Sequence, residues 1–423
     1  MIIEEEKPKD PQSFLKGITK YHFWVLLGCW LGGIFDGMDS SLMAVTLPAA
    51  VKDLVPGADQ KIISEIGSYV TAIFLLGWTI GGMIFGIIGD KLGRVTSMIL
   101  SILLYAIFTG LAGLTSSWEA LAICRFLTGL GIGGEMVSIA TFLTEVWPER
   151  SRTLAVGALI TSYQAGVFLA GSVSYLFGSW RQVFFIGACP AILVILLRLT
   201  LRESDRWLEK QKIPVAERVE ASLLSQLWQS DQRVSLIVGS LTFGALLIGY
   251  WASLAWIPVW IQSLLDTDSH IERSLATAWQ GLAAIAGCLA AGFACEYFGR
   301  RITISVSFLG CLAASAVLFL MNGEFSELLY LQSGILGFFI GLCQASLYIY
   351  LPECFKTLVR ATGTGFCLNF GRVVTIMAVL GVGTLVAFFG GYAESAFTFS
   401  LFYIVGAVAV LFGKETKDLK LPD

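Results

Sequence analysis

Twelve long apolar runs, separated by short charged loops, limit what this chain can become more than any other feature. They fall at about 22–48, 65–88, 95–115, 118–145, 153–177 and 181–200, then at 233–262, 273–294, 302–321, 325–351, 360–387 and 390–412. Each can cross roughly 30 Å of hydrocarbon at about 1.5 Å per helical residue. Hydrocarbon offers peptide groups no partner, so such runs must be helical. The expectation is an all-α integral membrane protein with twelve transmembrane helices. Composition agrees, with 56% hydrophobic and only 14% charged residues, far from the soluble pattern. Residues 1–7 are acidic and lack a basic leader with a small-residue cleavage site, so the first run is expected to serve as the membrane signal itself.

Basic residues set the orientation. Of 28 Lys and Arg, Lys52, Lys61, Arg181 and Arg273 fall on one side and Arg125 and Arg372 inside spans, while all the rest fall on the other. The positive-inside rule makes that basic side cytoplasmic, with both termini and the charged 201–232 loop on it. A multi-pass protein of the cell (plasma or inner) membrane is the expectation, with the lipid bilayer as its surroundings. The net charge of −3 gives no sign of nucleic acid. Nine cysteines show no metal or CxxC spacing and read as small packing residues. His22 and His270 sit far apart, so neither a metal nor a cofactor is expected. No nucleophile with a base appears, which argues against an enzyme.

Charges inside the spans carry the chemistry. Asp36 and Asp39 lie three residues apart on one face of the first run, and intramembrane acids mark proton, ion or substrate paths. The alternative is a structural couple holding Arg125 or Arg372. Glu135, after Gly133 and Gly134, is a further proton candidate. Arg372 lies about 16 Å into its span if the helix starts near Ala361, with Asn369 on the same face. Its planar fork suits a carboxylate, so it is the first choice for an anionic substrate, with a structural ion pair as the alternative. Arg125, about 10 Å deep, is a second candidate or a brace for Asp36. Tyr163, Gln164, Tyr250, Trp251, Trp279, Gln280 and Gln344 are candidates to line a cavity, against helix-to-helix bonding for the amides and interfacial belts for the aromatics.

The chain is doubled. Gly86, Asp90, Gly93 and Arg94 after the second run recur as Gly292, Glu296, Gly299 and Arg300 after the eighth, at an offset of 206. Trp147, Pro148, Glu149, Arg150 and Arg152 after the fourth run are echoed by Leu351, Pro352, Glu353, Lys356 and Arg360 after the tenth. Two six-helix bundles, 22–200 and 233–412, are expected around a site between them, with 1–21, 201–232 and 413–423 as cytoplasmic segment, linker and tail.

On these residues the chain resembles the major facilitator superfamily of secondary transporters over essentially its whole length. The Gly-x-x-x-Asp-Lys-x-Gly-Arg stretch at 86–94 is similar to that superfamily's signature loop, and 292–301 to its weaker second copy. The resemblance implies a gating role for Gly86, Asp90, Lys91, Gly93, Arg94, Glu296 and Arg300, with Asp90 facing the eleventh helix. Asp36, Gly37 and Asp39 are similar to the Asp-Gly-aromatic-Asp of proton symporters for aromatic acids and of sialate-type symporters, with Met38 in place of the aromatic. Arg125 to Glu135, followed by Glu145 to Pro148, resembles the fourth helix of metabolite and sialate proton symporters. The stretch 201–208 is similar to the Pro-Glu-Ser-Pro-Arg of sugar porters, both prolines missing. Arg360 to Gly363 and Asn369 to Arg372 resemble many organic-anion members. The resemblance implies proton-coupled symport of a small organic anion by alternating access. A porter of sugars or other uncharged solutes, a drug or metabolite exporter, a channel and a nontransporting sensor stay open as alternatives. Nothing specifies an oligomer, and a monomer is the simpler expectation.

Overall fold

A computed structural model describes residues 17–176, 179–189, 192, 197, 200–211, 223–254, 257, 260–261, 264–265, 270–381 and 388–422. The expectations for residues 1–16, for most of the linker with Pro214 (212–222) and for the end of the eleventh run (382–387) lie outside them.

The helices are α1 (Lys20–Leu54), α2 (Gln60–Leu92), α3 (Arg94–Ala112), α4 (Trp118–Val146), α5 (Arg152–Leu176), α6 (Trp180–Gly187), α7 (Asp205–Gln211), α8 (Leu223–Leu227), α9 (Ser230–Leu254), α10 (His270–Phe298), α11 (Arg300–Leu320), α12 (Leu328–Glu353), α13 (Arg360–Phe370), α14 (Arg372–Leu380), α15 (Tyr392–Ser400) and α16 (Phe402–Ala409). Among the described residues, nine helices are long and apolar enough to cross a membrane. The first, sixth and eleventh runs are not among the nine. The first is one continuous helix whose middle carries Asp36, Asp39 and two serines. The sixth lies partly outside the described residues. The eleventh is broken: α13 ends at Phe370, Gly371 makes a turn, and α14 starts at Arg372. There Gly371 comes against the backbone of Gly244 on α9, an approach that a side chain would block.

Close glycine contacts set the helix pairs. On α1, Gly37 lies against the Tyr163 backbone of α5, and on α4, Gly133 lies against the Trp78 carbonyl of α2. In the second half, Gly341 on α12 packs on Ala284 of α10. A continuous buried core runs through both halves, including Phe74, Tyr105, Phe142, Phe243, Phe308 and Tyr403. Leu100, Ile107, Ile302, Val306 and Leu309 point outward, as on helices facing hydrocarbon.

The repeat is structural as well as sequential. Gly93 and Gly299 turn the chain between helices at φ 106° and 84°, the left-handed region where glycine alone escapes a Cβ penalty. Arg94 bonds the Gly89 carbonyl and Glu145, and Arg300 bonds the Cys295 carbonyl and Glu353. Each of the next helices is capped by a distant glutamate. Glu203 accepts from Val95 N and Thr96 N, and Glu415 from Arg300 N and Arg301 N. The residue after each cap reaches back to the same clamp: Ser204 Oγ donates to Glu145 and Thr416 Oγ1 to Glu353, each at 2.6 Å.

Candidate functional site

At the end carrying these loops the two halves are bonded to each other. Asp90, on the last turn of α2, accepts from Ala361 N (3.2 Å), Thr362 N (2.7 Å) and Thr362 Oγ1 (2.6 Å). These are the free donors of the α13 N-terminus, where a carboxylate is favoured. Arg94 also bonds the Thr357 carbonyl at 2.8 Å, and Arg360 reaches Glu145 at 2.9 Å. The mirror pair, Arg152 with Glu353, is longer at 3.9 Å. Gly86 permits the approach of α13, since a Cβ there would press on the Ala361 carbonyl. Lys91 is exposed, and Glu296 is half-buried beside Arg300.

Residues 413–422 fold over this end. The Pro422 carbonyl accepts from Arg360 Nη2 (2.9 Å) and from Thr357 N (3.3 Å), with Leu421 buried beside it. Glu415 lies outside the spans. Burial works against its ionisation, yet backbone N–H groups of Arg300, Lys417, Arg301 and Thr416 hold it below the usual carboxylate range.

Deeper in, a cleft is lined by Trp78, Met136, Tyr163, Phe243, Tyr250, Gln344, Tyr348 and Arg372, among others. Tyr163, Tyr250, Gln344 and Arg372 are thus brought together at one cleft. Gln164 and Gln280 are not among the lining residues, and Trp279 is half exposed on the outer face of α10. The side chain of Trp251 lies outside the described residues. Trp78, Met136 and Tyr348 were missed. Trp78 stands among the glycines of α2, and Tyr348 sits four residues after Gln344, a one-turn spacing that could have flagged it.

Arg372 is held from three directions. Its Nη1 donates to the Leu368 carbonyl (2.9 Å) and to Asn369 Oδ1 (2.6 Å), and its Cζ lies 4.2 Å from the centroid of the Trp78 ring. Asn369 therefore acts on the arginine, and its own amide donates to the Gly365 carbonyl.

The acids divide. Asp39 accepts from Thr109 Oγ1 (2.6 Å) and pairs with Arg125 Nη1 (3.2 Å), all fully buried. Arg125 also lies 4.6 Å over Phe184. This is the paired arrangement that the sequence left open, and it ties Arg125 to Asp39 and away from Asp36. Asp36 and Glu135 are fully buried too, yet neither carboxylate has a hydrogen-bond partner among the described residues. Glu135 is among the charged groups acting on Asp36, as are Asp39 and Arg372. Gly32 leaves room for the Glu135 carboxylate, and the unpartnered Tyr105 hydroxyl is near it.

A helical membrane protein with a central cleft, a bonded seam at one end and unpaired acids beside the cleft has the parts of a carrier. The chain belongs to the Major Facilitator Superfamily, whose family model matches residues 29–378, and it is a membrane transporter, not an enzyme. It is 27% identical over 399 residues to the putative niacin/nicotinamide transporter NiaP of Bacillus subtilis, covering 92% of this chain and 96% of that protein. It is 28% identical to the cis,cis-muconate transport protein of Acinetobacter baylyi (93% and 95% covered) and 27% identical to the sialic acid transporter NanX of Escherichia coli (88% and 89%). Among solved structures, the proton:xylose symporter XylE superposes with a TM-score of 0.80 at 18% identity, covering 95% of this chain and 98% of that one. That likeness bears on the fold alone.

Proposed function

We propose that this protein is a proton-coupled symporter of a small organic anion, working by alternating access in the cell membrane. Two six-helix bundles, 22–200 and 233–412, would rock about the cleft, with the 201–232 linker, both termini and the 413–423 tail in the cytoplasm. The observation that carries the reading is the pair of buried, unpartnered carboxylates of Asp36 and Glu135 near a cleft that holds one arginine. Two ionised carboxylates without donors are prohibitively costly in a dry site, so at least one proton resides there. Asp36 and Glu135 are its carriers, while Asp39 is neutralised by Arg125.

Arg372, oriented by Asn369, holds the substrate carboxylate, and Gln344 contributes a polar contact. The relatives named above, a putative niacin/nicotinamide transporter, a cis,cis-muconate transport protein and a sialic acid transporter, support an acidic substrate. Asp90, Arg94, Glu145 and Arg360 hold the cytoplasmic seam closed, and the Arg300 clamp with Glu296 beside it serves the second half. Uptake into reconstituted vesicles of labelled carboxylates and sugars, with and without an inward proton gradient, tests class and coupling together. Gradient-driven accumulation of a carboxylate is expected. Accumulation of sugars alone, or of carboxylates equally well without the gradient, would overturn the reading.

A further inference from the structure

Four side chains of the first half gather around one turn of α1 without satisfying one another. Asp36 stands on α1, Tyr105 on α3, Glu135 on α4 and Ser162 on α5, and all four are fully buried. Gly32 and Gly33 make the room: a Cβ on Gly32 would collide with Glu135 Oε1, and one on Gly33 with Ser162 Oγ. Asp36 comes one turn after Gly32 on the same face. Glu135 acts on both the Asp36 carboxyl and the Tyr105 hydroxyl. Both oxygens of each acid and both hydroxyls are buried without a hydrogen-bond partner among the described residues.

One proton does not fill this set. Carried by either acid, it makes a single bond to the other, and the two hydroxyl hydrogens still leave most of the lone pairs unmet. The donors are all oxygen and two of the groups are charged, which is the chemistry of a hard cation. Charge decides the valence. Asp39 is neutralised by Arg125, so two carboxylates stand against Arg372 alone, and one further positive charge balances them. A divalent ion would leave a buried excess. Size follows from the glycines, which bring α1 so close to α4 and α5 that a small ion fits better than a large one.

We infer that Asp36, Glu135, Tyr105 and Ser162 form a sodium site, in which sodium and the proton compete for the same two carboxylates. The inference rests on the reading of these acids as the coupling groups. An anion bound at Arg372 removes the charge that offsets them, so substrate and sodium bind cooperatively.

The test is binding of radiolabelled sodium to purified full-length protein in detergent, with N-methylglucamine as the background cation, at about pH 8.5 and about pH 6. Saturable binding is expected at the higher pH. Unlabelled sodium should displace it at least about tenfold better than potassium, and the lower pH should weaken it at least about tenfold as protons take the acids. Glu135→Gln should abolish it. Tyr105→Phe and Ser162→Ala each remove one oxygen and little bulk, and each should weaken binding about three- to tenfold. Where Glu135→Gln fails to fold, these two variants carry the comparison. No saturable binding at the higher pH, equal displacement by potassium, indifference to pH, or full affinity in a folded variant of any of the three overturns the site. Proton-driven carboxylate uptake by wild type, measured alongside, separates the two ideas. Uptake without sodium binding keeps the acids as proton carriers and removes the sodium site, and the absence of both removes both.

Discussion

Replacing the Asp90 carboxylate as Asp90→Asn tests whether the bonded seam is a gate. The side chain makes three hydrogen bonds to the first residues of α13, two of them at 2.7 Å or less. Asparagine keeps one oxygen, so at least one of these contacts persists. What is lost is the charge at a helix N-terminus, which in a buried geometry contributes about 1 to 2 kcal/mol. Arg94 also loses its 2.9 Å pair with Asp90, made within the same half, but keeps Glu145 at 2.9 Å, so no new buried cation is stranded. The bonds to α13 are made only while the seam is closed, so the loss at that helix end falls on the closed state, and the inward-open population should rise about 5- to 30-fold. A reporter can sit at Val137, which is almost fully buried against Gly365 across the seam. With Cys124 and Cys189, the two native cysteines that are not buried, replaced by serine, Val137→Cys should label slowly with a membrane-impermeant maleimide from the cytoplasmic side. Adding Asp90→Asn should accelerate labelling by that factor. An unchanged rate in a variant that melts at the wild-type temperature would refute the gating argument.

Asp36→Asn or Glu135→Gln should abolish gradient-driven accumulation while leaving exchange at equal pH, and thermal stability should hold or rise because an unpaired buried acid is removed; accumulation that persists in both variants would put the proton elsewhere. Arg125→Gln should cost about 3 to 5 kcal/mol by stranding the Asp39 carboxylate, and Asp39→Asn added to it should restore most of that; additive losses in a double-mutant cycle would deny the pairing. Ending the chain after Lys417 removes the Pro422 carbonyl from Arg360 and Thr357, and Val137→Cys should then label several-fold faster, each lost hydrogen bond contributing about 0.5 to 1.5 kcal/mol. Glu415, whose folded value lies below that of the unfolded chain, adds stability that is complete above the ordinary range near about 4.3 and fades as pH falls through the depressed folded value. Melting temperatures of wild type and Glu415→Gln should therefore differ at pH 7 and converge in acid, and a constant gap would contradict the assignment.

The membrane helices and the duplication were legible because the need to satisfy backbone groups in hydrocarbon leaves so few options, and because charges that must be paired repeat in register. Asp90 facing the eleventh helix followed from the resemblance of its loop, and the hydrogen bonds to Ala361 and Thr362 have that geometry. The partners of buried charges were not legible. Asp36 and Asp39 share a helix face, yet Thr109 and Arg125 come from other helices and reach only one of them. The break at Gly371 was hidden as well, since glycines are scattered through every span and only contact with Gly244 singles this one out. The Glu203 and Glu415 caps could have been seen, because Glu-Ser after the sixth run and Glu-Thr after the twelfth are the same device, but their target helices lie far away in sequence.

The two sides of the seam are unequal in a way that bears on water. On one side both oxygens of Asp90 are engaged, by α13 and by Arg94 Nη1 at 2.9 Å, and the Thr362 hydroxyl is satisfied. On the other, Arg152 stands 3.9 Å from Glu353, and Arg152 Nε and the Thr153 hydroxyl are buried without partners among the described residues. A water molecule entering there gains hydrogen bonds that the protein leaves unmade, whereas one entering beside Asp90 must displace bonds already formed. Wetting of the seam should thus begin along the α5 and α10 edge, where Gly157 meets Gly292 and little side-chain bulk stands in the way. Under the proposed rocking of the two halves, opening should run like a zip drawn from that edge, with the Asp90 contact the last tooth to part.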